Sequence, residues 1–198
     1  MAAKFKNLVT EIDTTGSAQL LLRCTAGKVN LIKNLIVHNE NGSSSSFFLA
    51  FEDNSISTTS FPINAGTTTS GNQAVFTTPF VLEENDEVLL QTSVADQQVT
   101  LHYVELDAGV RQKYRMIGKS LTTADSADSF LTCPAGSTII VNLVNFFNQS
   151  GGTASNNLFT ITDSSTSTTK TIDKGSINNN SAATFHRTFV LESGDSLN

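Results

Sequence analysis

The chain has 198 residues, 18 acidic against 12 basic side chains, and a net charge of −6 at pH 7. Hydrophobic residues are 38 % of it, with 12 Gly besides, a globular proportion that excludes a disordered chain. No apolar run reaches the ~18 residues of a membrane helix, the opening MAAKFKNLVTEID lacks the apolar centre of a secretory signal, and two Cys cannot build a disulfide framework.

Short runs rich in Val, Ile, Leu, Phe and Thr follow one another along the first half: QLLLRC (19–24), NLIKNLIVHN (30–39), SFFLAFED (46–53), AVFTTPFVL (74–82), DEVLLQTS (86–93) and QQVTLHYVEL (97–106). Clusters of Gly, Asn, Asp and Ser separate them about every 10 residues, the spacing of an antiparallel sandwich or jelly roll. In the last run Val99, Leu101 and Tyr103 fall on one face and Thr100 and His102 on the other, the period of a half-buried strand. The stretches NENGSSSSF, NAGTTTSGN, NQSGGTASNN and DSSTSTTK read as exposed connectors. No segment has a capped helical period. The expectation is an all-β protein with about eight strands in each complete unit.

That unit is written twice. Cys24, Gly27 and Asn39 recur as Cys133, Gly136 and Asn148, 109 positions on. At the same offset FVLE at 80–83 recurs at 189–192, Asp86 becomes Asp195, and Lys4-Phe5-Lys6 becomes Lys113-Tyr114-Arg115. Only the middle slips, FLAFED at 48–53 matching LFTITD at 158–163 at an offset of 110. A period this long is a domain rather than a solenoid repeat. Two tandem antiparallel β-sandwich (jelly-roll-like) domains of the same topology are expected, 1–109 and 110–198. Asn198 aligns with Leu89, so nothing in the second copy matches 90–109, and that copy is expected to lack its last strands. Either the natural chain runs on, the favoured reading, or a neighbouring subunit lends the strand.

Residues that could carry chemistry do not converge in the sequence. Cys24 and Cys133 stand in separate copies and read as unpaired buried thiols. His38 and His186 have Phe147 and Thr77 as counterparts and His102 has none, so no histidine site recurs. Gly118-Lys119-Ser120 resembles the end of a phosphate-binding loop, but Lys113 stands where the motif needs its first Gly. The acidic run Glu83 to Glu87 could bind a hard cation, yet a solvated turn explains it as well. Asn41, Asn148 and Asn179 open glycosylation-type triplets that a chain rich in Asn and Ser yields by chance. The reading is therefore no catalytic residues, no cofactor and no metal.

Copy one carries five basic and twelve acidic residues, net −7, and copy two seven and six, net +1. The only basic patch is Arg111–Lys119, which argues against nucleic acid as a partner.

Two stretches, TCPAGSTIIVNLVNFFNQSGGTASNNLFTIT and FVLEENDEVLLQ, speak most; the order in the copies is a Pro-Ala-Gly or Thr-Ala-Gly turn before an apolar strand that ends in Asn. A Ser/Gly-rich loop and later an acidic hairpin follow. This order resembles the small β-sandwich domains of tailed-bacteriophage virion proteins, cyanophage ones in particular. The resemblance implies a non-enzymatic structural protein that decorates a capsid or builds a neck, tail or fibre. It implies assembly in the host cytoplasm into a symmetric homo-oligomer bound to other virion proteins, with no membrane partner and with loops that could touch a host surface. Copy one is expected to anchor or cap and copy two to project. The competing class is a host-surface or carbohydrate-binding sandwich, against which the absence of Trp counts.

Overall fold

The structure, a computed structural model, describes residues 3–55, 59–108, 116, 129–148, 155–186 and 188–198. The chain divides into two compact units, Met1–Gly118 and Lys119–Asn198. Met116, beyond the 109/110 boundary that the repeat suggests, packs against the core of unit one.

Unit one contains nine strands: β1 (Lys4–Ile12), β2 (Gln19–Arg23), β3 (Lys28–Asn39), β4 (Ser45–Asp53), β5 (Thr59–Thr68), β6 (Gln73–Phe76), β7 (Phe80–Leu82), β8 (Glu87–Thr92) and β9 (Gln97–Asp107). They form two antiparallel sheets. One runs β1-β9-β3-β6, with β7 also on β3, and the other runs β2-β8-β4-β5. If β6 and β7 are counted as one strand interrupted at 77–79, the chain crosses between sheets in the winding of a jelly roll. Alternation sets the core. In β3, Ile32, Leu35 and Val37 are sealed off, and Leu49, Phe51, Val88, Leu90, Val99 and Leu101 meet them from the other strands. Each such side chain contributes about 1.5–3 kcal/mol when fully buried.

Two strands were not legible as such. β1 is one, because KFKNLVTEI mixes charges into its alternation. The other is β5, whose second half lies in the NAGTTTSGN expected to be a loop. Its counterpart begins inside DSSTSTTK, of which only 164–167 form the turn.

Unit two contains β10 (Leu131–Thr132), β11 (Ile139–Val141), β12 (Val144–Asn148), β13 (Ser155–Asp163), β14 (Thr168–Ile177), β15 (Ser181–Phe185), β16 (Phe189–Leu191) and β17 (Ser196–Leu197). Their pairings fall on those of unit one. Leu131 faces Leu197 as Leu22 faces Val88; Val141 faces Phe189 as Ile32 faces Phe80; Val144 faces Phe185 as Leu35 faces Phe76. β13 and β14 repeat β4 and β5, including the bulge, which sets aside Ile63 opposite Leu49 and Ile172 opposite Phe159. The sequence slip has a local cause. Five residues separate β3 from β4 and six separate β12 from β13, while the following turn is shorter by one. The offset therefore rises to 110 through β13 and returns to 109.

Candidate functional site

The repeated motif builds a turn cluster at one end of each sandwich. In unit one, residues 25–28 form a turn closed by the Lys28 N–H on Thr25 O at 3.1 Å. Gly27 sits at φ +72, the conformation that the third residue of a type II turn requires and that glycine adopts without strain. Unit two repeats it with Ser137 N–H on Pro134 O at 3.1 Å and Gly136 at φ +72. A second turn, Glu83 to Asp86, is clamped to the first: Cys24 N–H donates to Asp86 O and Asn85 N–H to Cys24 O, both at 2.9 Å. Cys133, Asp195 and Gly194 make the same two bonds at 2.9 Å. The left-handed residue of this turn is Asn85 (φ 70) in one copy and Gly194 (φ 88) in the other, the two residue types that best tolerate it.

The Asp carboxylates tie in a third turn. Asp86 accepts the Glu83 N–H at 2.8 Å and the Asn54 N–H at 3.2 Å. Asp195 accepts those of Glu192 at 2.9 Å and Ser164 at 3.0 Å. The geometry is shared but the electrostatics are not. Burial pushes the Asp86 carboxyl up to about 6, overcoming its two amide bonds, with the charges of Asp53 and Glu83 adding to the rise. Asp195, 8 % exposed against 1 % for Asp86, is instead held below the ordinary range by the Ser164 and Glu192 amides.

Both cysteines are free and buried. Their thiols donate to Lys28 O and Ser137 O, each at 3.3 Å. Burial pushes the Cys24 thiol up to about 11, which makes it a poor nucleophile. The closing Asn is equally structural. The Asn39 amide donates to Ser43 O at 2.8 Å and Thr68 O at 3.2 Å and accepts from Gln97 at 2.7 Å. Asn148 donates to Ile177 O at 2.9 Å, the counterpart of Thr68 O.

The other sequence candidates stay apart. Within the acidic turn, Glu84 accepts the Gly27 N–H at 3.0 Å and Glu87 pairs with Arg23, so these carboxylates face different partners. His102 meets Asn7 at 2.6 Å and His38 meets Glu40 at 3.5 Å, while His186 is exposed. Among the described residues no group of three His, Cys, Asp or Glu is placed to hold a metal ion. Gly118-Lys119-Ser120 and, apart from Met116, the basic run Arg111–Lys119 lie outside the described residues. What sequence reasoning missed is the capping role of Asp86 and of Asp53, whose carboxylate accepts the Ser55 N–H at 2.9 Å as Asp163 accepts that of Ser165 at 2.9 Å. The signal was present as Asp-x-Ser at both places.

No family model, no curated protein and no solved structure matches the chain.

Proposed function

We propose that the chain is a non-enzymatic structural building block of a tailed-phage virion, working as a symmetric homo-oligomer among other virion proteins. The observation that carries this reading is an apolar outer face on the β1-β9-β3 sheet of unit one. Cross-strand register aligns Phe5, Val104, Leu31 and Val81 in one row, of which Val104 is itself buried, and Val9, Thr100, Ile36 and Val75 in another. Phe5 is 84 % exposed and Val9 59 %. Unit two exposes Ile140 and Val190, the counterparts of Leu31 and Val81, at 61 % and 52 %. Rows of this kind favour packing against neighbours. The acidic copy one (1–109, net −7) and the near-neutral copy two (110–198, net +1) suit different neighbours, the first anchoring and the second projecting. Jelly rolls recur in capsid proteins, a fold-level analogy only.

Two measurements test the reading. Light scattering should return a closed oligomer whose size falls to a monomer on Phe5→Ser with Val9→Ser. Immunogold microscopy of purified tailed-phage particles with antibody to the chain should label one fixed position. A monomer at high concentration together with unlabelled particles overturns it.

A further inference from the structure

The first glycosylation-type triplet, Asn41-Gly42-Ser43, sits in the turn between β3 and β4, and its hydrogen bonds suit a different chemistry. The Asn41 side-chain oxygen accepts the Ser43 N–H at 3.0 Å. That bond closes an Asx turn around the peptide linking Asn41 to Gly42. Among the described residues no acceptor meets the Gly42 N–H. The Asn41 Nδ2 donates to the Asp96 carboxylate at 3.2 Å. Gly42 is exposed and has no side chain to hinder approach.

We propose that Asn41 is a self-modifying site, at which the backbone nitrogen of Gly42 converts the Asn41 amide to an aspartyl or isoaspartyl carboxylate. The Gly42 nitrogen, its proton taken by solvent base, attacks Asn41 Cγ. The Cγ–Nδ2 bond breaks, and Nδ2 leaves as ammonia with that proton equivalent. Water then adds to either carbonyl of the cyclic imide and opens it. Overall, amide and water give carboxylate and ammonium with no change of oxidation state.

The consequence follows from the partner. Asp96 holds this corner together, with the Glu40 N–H on Asp96 O at 3.0 Å and Gln97 on Asn39 at 2.7 Å. A new carboxylate beside that of Asp96 replaces a hydrogen bond with like-charge repulsion. Modification therefore loosens the end of unit one opposite the turn cluster and adds negative charge to the more acidic unit. Unit two has Asn148-Gln149 at the preceding corner and no Asn-Gly pair.

The experiment incubates the folded full chain at mildly alkaline pH in heavy-oxygen water and maps peptides by mass spectrometry. The expected result is conversion at Asn41 ahead of Asn54 and Asn180, each followed by Ser, with heavy oxygen incorporated and isoaspartate in excess. Gly42→Ala should suppress conversion several-fold at unchanged thermal stability, since a Cβ there meets nothing within 4 Å. Asn41→Asp should speed amide exchange around Glu40 and Asp96 and leave unit two unaffected. Conversion at Asn41 no faster than at Asn54 or Asn180, or at the original rate in Gly42→Ala, overturns the proposal.

Discussion

Where unit one sets Leu21, Val37 and Leu49 around its core, unit two sets Phe130, Phe146 and Phe159 at the matching positions. Where unit one stacks Phe51 on Phe61 across β4 and β5, at 6.1 Å between ring centres, unit two has Ile161 opposite Lys170. Phe76 and Phe80 keep their rings as Phe185 and Phe189, so the difference lies in which of the other core positions are aromatic. In unit two Phe146, Phe159, Phe185 and Phe189 form a connected cluster with ring centres 5.7 to 6.2 Å apart. The turns did not move. The Cys-x-Ala-Gly turn, the Asp clamp, the closing Asn and the bulge stand at the same register in both units. Core volume can thus be traded among neighbours as long as the space is filled, while a turn that needs a left-handed residue or a carboxylate acceptor has few substitutes.

The largest expected effect comes from breaking the aromatic cluster of unit two. Phe159→Ala removes a 2 % exposed ring that stacks on Phe185 and meets Phe146 and Phe189 edge-on, and should cost about 3–5 kcal/mol. The matching Leu49→Ala should cost about 2–5 kcal/mol, spent in unit one. Hydrogen exchange read separately over 3–108 and 129–198 distinguishes them. Protection should be lost only in the mutated unit. Equal loss in both would mean that the two unfold as one body, and the comparison would lose its meaning.

Next comes the closing Asn. Asn39→Ala takes the side-chain donor from Ser43 O and Thr68 O and one acceptor from Gln97 Nε2, and Asn148→Ala takes the donor from Ile177 O, so each should cost about 1–3 kcal/mol by urea denaturation. A cost near zero in both would make the repeated Asn a surface accident.

These positions also show how far the sequence could be read. The all-β class, the buried thiols and the repeat were legible because buried strands alternate at period two and because turn residues recur. β1 was not, since Lys4 and Lys6 interrupt its pattern and Lys6 finds its partner Glu105 at 2.5 Å only across the sheet. β5 was not, because Asn64, Gly66, Thr67 and Thr68 read as loop until pairing with β4 places them. The turn cluster was half legible. Asp86 and Asp195 aligned, but an aspartate accepting two amides looks in sequence like any acidic turn. The opposite shifts of the two carboxyls were hidden altogether, since they depend on how deeply each is buried.

Those shifts give the third prediction, on pH. Asp86 has a folded value of about 6 against the ordinary carboxyl value of 3.8, so between these the folded state holds more protons than the unfolded one. Its contribution is full below the lower value and is lost as pH rises toward about 6. Asp195 is depressed in the folded state; its contribution is present above the ordinary carboxylate range and is lost as pH falls through the folded value. Lowering the pH from 7 to 5 should therefore favour unit one through Asp86 and leave unit two's clamp intact, while stronger acid should weaken unit two. Asp86→Asn should flatten the first response, read by exchange rates in 3–108. If that response is unchanged, another group causes it.

The smallest effect concerns charge at one equivalent cross-strand pair. Arg23 faces Glu87 in unit one, with Nε to Oε1 at 2.5 Å, and Thr132 faces Ser196 at the same register in unit two. The Arg23 side chain is 61 % exposed and that of Glu87 10 %, so water screens half of the pair and the other half has already lost hydration. Such pairs contribute roughly 0.2–1 kcal/mol, and salt weakens the exposed side over about 8–10 Å. Arg23→Thr with Glu87→Ser transplants the neutral pair into unit one. Stability at low salt should fall by no more than that amount, and the salt dependence of unit one should shrink toward that of unit two. Removing Arg23 alone should cost more than removing both, because Glu87 would remain largely buried without its cation. If the single variant is no worse than the double one, the pair adds nothing beyond what a neutral pair supplies, and the acidity of unit one has its use on the outside of the protein rather than in its fold.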